Sequence, residues 1–198
     1  MSKELAVITE DKVAKYLKAM GLANELTTEE VDMFTEIAVA QNLNPFIREI
    51  YCVVYKGRSG RKVSFITGYE VYIKRAERSG QLNGWGCTLE GTRKDKTLRA
   101  VCTIHRKDWE HPFVHDAYWC EYAQDNTFWR NKPLTMIKKV AVAQAFRLAF
   151  PEQVAGLPYT EDEIGGSERD VTPDGNASPF IEQKPEASPE EQAEALFI

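Results

Sequence analysis

Leu98-Arg99-Ala100-Val101-Cys102-Thr103-Ile104-His105-Arg106 is the stretch on which the fold turns. Leu98, Ala100, Cys102 and Ile104 alternate with Arg99, Thr103 and His105, and only Val101 breaks the polar set. A period of two belongs to a strand with one face on a core. Residues 85–90 before it and 112–119 after it are further strand candidates, so three strands succeed one another. Residues 134–150 then read as one long helix, which Pro151 stops by restricting the residue before it. Upstream, residues 50–55 and 63–67 are β-branched and aromatic, and Gly57-Arg58-Ser59-Gly60-Arg61-Lys62 between them is a hairpin loop with three cations. Residues 69–78 read as a helix ended by Ser79-Gly80, and residues 9–20 place Val13, Tyr16, Leu17 and Met20 on one helical face. Thr27 and Glu30 have capping-box spacing for another helix, striped by Val31, Phe34, Ile37 and Ala38. Helices and strands in separate runs predict an α+β fold.

The chain has 198 residues, 43% of them hydrophobic and 28% charged, enough apolar content for a packed core. No apolar run approaches the roughly 18–20 residues of a membrane span, and the first residues lack the apolar length of a signal peptide. Cys52, Cys87, Cys102 and Cys120 are widely spaced and read as reduced thiols, so the expected setting is a cytosol. The net charge is −5, but its distribution is uneven. Residues 1–43 carry 4 basic and 8 acidic side chains, residues 44–150 carry 19 and 10, and residues 151–198 carry 2 and 12. A basic middle between acidic ends suits a polyanion-binding domain with an acidic tail. The expected division is a domain over 1–159 and an acidic, mostly disordered tail over 160–198, too poor in large apolar residues to offset its ordering entropy. Ser188-Pro189-Glu190-Glu191 within the tail is a helix-start signal.

Catalytic chemistry finds little support. Cys102, His105, His111, His115 and Cys120 are zinc-ligand types, but an odd offset puts Cys102 and His105 on opposite faces of a strand. Acidic residues of the folded part, such as Glu70, Glu90, Asp108 and Glu121, are scattered singly rather than converging as a metal nuclease requires. The 57–62 loop lacks the spacing and the Ser/Thr of a phosphate-binding loop and lies between strands. A metal-dependent nuclease or a zinc-binding nucleic-acid module is therefore the alternative reading, and no catalytic residue, metal or cofactor is expected. The basic, aromatic-rich surface is better defined. On the long helix Lys139, Ala143 and Arg147 share one stripe with Phe146 and Phe150 nearby, while Leu134, Ile137, Ala141, Ala145 and Leu148 form the opposite, core-facing side. Trp109 and Trp129 stand beside cations, either for stacking on bases or as buried core.

Gln41-Asn42-Leu43-Asn44-Pro45-Phe46-Ile47-Arg48-Glu49-Ile50-Tyr51 resembles the signature of the phage single-strand annealing proteins of the RecT/Bet (Redβ) family. Ile66-Thr67-Gly68-Tyr69-Glu70, Lys74-Arg75-Ala76-Glu77-Arg78-Ser79-Gly80, residues 102–108, His111-Pro112 and Ala145-Phe146-Arg147-Leu148-Ala149-Phe150 resemble later blocks in the same order, across roughly 27–151. Val71-Tyr72 and Val140 depart from the family pattern, the latter beside Lys138 and Lys139. The resemblance implies a β-β-β-α strand-annealing core with an added β-hairpin and N-terminal helices. It implies ATP-independent binding of single-stranded DNA and annealing to a duplex, with no covalent catalysis. It further implies rings or helical filaments of a homo-oligomer, and a phage exonuclease or host single-strand binding protein as partners of the tail. Arg48, Arg106, Lys107 and Arg147 fall on basic positions of the family's motifs, and Arg58, Arg61 and Lys62 extend a hairpin whose basic loop would reach the strand. With Lys138 and Lys139 beside Val140 these are the expected DNA-binding residues. Trp109 and Trp129, read from their cationic neighbours, are the candidates for base stacking.

Overall fold

The Thr27 hydroxyl accepts a hydrogen bond from the Glu30 amide while the Glu30 carboxylate accepts from the Thr27 amide, so the capping box forms and starts a helix over Thr28–Ala40 (α2). The computed structural model describes residues 7–57 and 60–164. Before α2 lies α1 (Glu10–Ala19), whose Val13, Tyr16 and Leu17 are buried as their spacing requires. A 3-10 turn, Pro45–Ile47, then leads into β1 (Tyr51–Gly57) and β2 (Gly60–Ile66), an antiparallel hairpin in which Lys56 pairs with Arg61 and Gly57 with Gly60. The strands thus run further toward the tip than the sequence suggests, because backbone pairing continues through the polar residues. After β2, α3 (Tyr69–Arg78) ends as expected at Ser79.

The second sheet has the order β3-β4-β5, from β3 (Leu82–Glu90), β4 (Arg99–Arg106) and β5 (Phe113–Tyr118), all antiparallel. Ala100, Cys102 and Ile104 of β4 are fully buried, and the residues opposite them, Leu89, Cys87 and Trp85 on β3, share their face. That face packs on α6 (Pro133–Ala149), reached through the short helices α4 (Trp119–Tyr122) and α5 (Thr127–Asn131). The Gln144 amide donates to the Tyr122 hydroxyl, and its oxygen pairs with His115 Nε2, each at 2.8 Å, tying α4 and β5 to α6. The molecule is therefore α+β, with N-terminal helices, a hairpin, and a three-stranded sheet under a helix. No helix among the described residues is long and apolar enough to cross a membrane.

Two expectations change. The helix α6 has no single core side: Ile137, Val140, Ala141, Ala143, Ala145 and Phe146 are all fully buried, whereas Leu134 and Leu148 are 49% and 54% exposed. A helix apolar almost all round gives little contrast on a helical wheel, and neighbours from elsewhere in the chain decide which sides are covered. One such neighbour lies beyond the expected boundary at 159/160. After α7 (Pro151–Val154) the chain packs back on the domain, Thr160 is buried, and α8 (Glu161–Ile164) contacts α6. The segment's own composition is polar, but the domain supplies its partners. The expected disorder and terminal helix of residues 165–198 fall outside the described residues.

Candidate nucleic-acid interface

Several of the expected DNA-binding cations serve the fold. Arg61 donates to both Glu30 carboxylate oxygens, at 2.6 and 2.7 Å, and to the Glu25 carbonyl at 2.8 Å. The Arg61 hydrogen bond holds the Glu30 carboxyl below the usual carboxylate range, and the pair fastens β2 to the start of α2. Arg106 bonds Asp108, the Gln81 side chain at 2.8 Å and the Ala149 carbonyl, and lies 4.5 Å from the Trp109 ring and 4.8 Å from Phe150. Its side chain is only 10% exposed; it satisfies a terminal carbonyl of α6, where the helix dipole favours a cation. Arg147 lies between the Tyr72 and Tyr159 rings, at 4.9 and 4.1 Å, bonds the Tyr72 hydroxyl, and reaches Glu163 at 3.6 Å. Burial pushes the Tyr72 phenol well above its ordinary range, so it keeps its proton and donates to the Pro158 carbonyl at 2.6 Å. Arg106 and Arg147 are drawn inward by carbonyls and rings that the sequence places far away, whereas Arg61 stays exposed and is tied down by Glu30. Lys107 is exposed and donates to the Gly80 carbonyl at 2.8 Å, Lys62 is exposed on β2, and Arg58 lies outside the described residues.

The remaining cations converge. Lys138 and Lys139 stand half-buried on α6, beside a hollow of about 550 Å³ between α6 and β3. Trp85, Gly86, Tyr69 and Leu134 line it as well. Tyr69 and Lys139 also line a second hollow of about 450 Å³, together with Arg48 and Lys74. The two hollows adjoin at these shared walls, and the pair makes up the candidate groove, with Arg48 and Lys74 in one part and Lys138 and Trp85 in the other. Arg48 adopts the left-handed conformation (φ +56°) after the 3-10 turn and lies 4.4 Å over the Tyr51 ring, while Lys74 pairs with Glu49 at 3.0 Å. The expected stripe Lys139–Ala143–Arg147 is not an open surface, since Ala143 is fully buried.

Aromatic exposure also differs from expectation. Trp129 is 1% exposed, held by the Asn126 cap of α5 against α6, and cannot stack on a base. Trp109 is 40% exposed but outside the groove, edge-on to Phe113. The groove's own tryptophan is Trp85, 40% exposed and edge-on to Phe146 at 5.5 Å. The β3–β4 register slips between Leu82 and Gly84, and Gly84 has a φ of +129°, a conformation open to glycine. This irregularity precedes the turn of Trp85 onto the face of α6. The motif Gly84-Trp85-Gly86 was the available sequence signal, an aromatic flanked by residues that let another chain approach closely.

Metal-ligand candidates do not gather: among the described residues no group of three or more His, Cys, Asp or Glu is placed to hold an ion. Cys102 is buried and His105 exposed, on opposite faces of β4. Cys87 and Cys102 face each other across β3 and β4, and their hydrogen bond lowers the Cys87 thiol while raising Cys102.

Residues 5–175 match the model of the RecT family. An uncharacterized protein of Ureaplasma parvum serovar 3 is 29% identical over 128 residues, which span 63% of this chain and 56% of that protein. The chain thus covers just over half the length of this curated relative.

Proposed function

The chain belongs to the RecT family, and on that footing we propose that it binds single-stranded DNA and anneals complementary strands without nucleotide hydrolysis or covalent chemistry. The observation that carries the reading to a place on the molecule is the groove in which Arg48, Lys138 and Lys139 flank Tyr69 and Trp85. Cations along such a groove displace counterions from the phosphates, and aromatic faces stack on bases without choosing among them. Two strands repel through their phosphates, so neutralising one lowers the barrier to pairing with its complement. Watson–Crick pairing then supplies the sequence specificity, and the protein needs none. Annealed duplex is the product. Further copies of the chain, in a ring or helical filament, would extend the groove, and an exonuclease or a host single-strand binding protein is the partner class for residues 165–198. The host cytosol is the expected location.

Two labelled complementary oligonucleotides mixed with the protein test this directly. Pairing should exceed the spontaneous rate equally with and without ATP, leave the DNA full length, and weaken steeply between about 50 and 200 mM salt. A requirement for ATP, shortening of the DNA, or a flat salt response would contradict it.

A further inference from the structure

The chain leaves α7 through Gly156, whose φ of +73° is a backbone conformation that favours glycine. Leu157 is buried, and the following residues line one end of the groove on polar tethers. The Thr67 amide donates to the Tyr159 carbonyl at 3.1 Å, and the Tyr51 hydroxyl to the Glu161 carboxylate at 3.2 Å. The Thr160 amide and hydroxyl donate to the Glu163 carboxylate, which faces Arg147. Thr160 and Glu161 wall the same hollow as Arg48, Lys74 and Lys139, and Glu161 meets Lys139 again in a smaller adjoining hollow of about 130 Å³. Carboxylates therefore stand among the cations where phosphates are proposed to lie. Tyr159 is 56% exposed and Glu161 is exposed, so this stretch is held by individual hydrogen bonds and by ion pairing such as Arg147–Glu163 more than by buried apolar area. Segments of that kind open at low free-energy cost.

We propose that residues 158–164 form an acidic strap which occupies one end of the DNA groove and lifts when a single strand enters. The inference rests on the groove being the DNA site. It assigns Arg147 to latching the strap and not to holding phosphate. Residues 165–198, which follow the strap in the sequence, carry 8 acidic and 2 basic side chains. The apparent DNA affinity is then reduced by the fraction of molecules whose groove is closed.

Glu161→Gln and Tyr51→Phe each loosen the strap, the first by removing a charge and the second by removing a tether at constant charge. Glu121→Gln removes an exposed charge elsewhere and controls for net charge. Measured with oligothymidylate at about 50 mM salt, both strap variants should bind roughly fivefold tighter than the parent with little change in melting temperature. The Glu121→Gln variant should match the parent. The Thr67 amide should also exchange faster with DNA bound, because its acceptor leaves. Unchanged or weaker binding by both strap variants, or an equally protected Thr67 amide with DNA bound, overturns the strap while leaving the DNA site standing. Absence of binding by parent and variants alike overturns the site and the strap with it.

Discussion

A protein carrying Lys138→Glu and Lys139→Glu together binds oligothymidylate at least about 100-fold more weakly than the parent at about 50 mM salt. A charge-assisted bond to phosphate contributes about 1.5–3 kcal/mol, so removing two costs about 3 kcal/mol or more, and each reversal adds repulsion. The salt slope should flatten as well, by about 0.7 for each phosphate that the protein no longer neutralises. Both lysines are half-buried at the rim of the groove and neither belongs to the apolar core, so folding should be little affected. Circular dichroism and a thermal melt on the same samples check that point. A double variant that melts as the parent does and still binds with parental affinity would place the DNA elsewhere.

Phe146→Ala should unfold the domain at a temperature well below that of the parent, with a stability loss of about 3–5 kcal/mol. Phe146 is fully buried on α6, stacked on Phe150 at 5.9 Å and met edge-on by Trp85. Truncation leaves a void between the helix and the sheet that rigid neighbours cannot close, and it removes the support beneath Trp85. Leu148→Ala, two residues on, should change stability by less than about 0.5 kcal/mol because its side chain is 54% exposed. Urea melts of the two variants separate the cases, and similar losses would contradict the packing described for α6.

Elements with strong local signals are legible in the sequence. The alternation in β4, the capping box of α2 and the bounds of α3 each depend on residues within a few positions of one another. The roles of single side chains are legible only where geometry is local. Lys138 and Lys139 fall on the groove helix as expected, but Arg106 and Arg147, expected on DNA, instead bind a helix carbonyl and the returning strap. The partners of those arginines lie 43 residues away for Ala149 and 16 for Glu163, and no periodicity links them. Trp129 and Trp85 exchange roles for a related reason. Both stand in polar surroundings in the sequence, yet the Asn126 cap turns Trp129 inward, while Trp85 turns onto the rim of the groove after a register slip beside Gly84.

The central claim, that single-stranded DNA lies along the groove between α6 and β3, is tested most directly by photo-cross-linking. An oligothymidylate carrying bromodeoxyuridine is irradiated on the protein, and the attached peptides are identified by mass spectrometry. Adducts are expected at Trp85 and Tyr69, and they should vanish when the two lysines are reversed. Adducts confined to Trp109 or to the outer sheet face around Val101 and Val114, with Trp85 and Tyr69 unmodified, would contradict the claim.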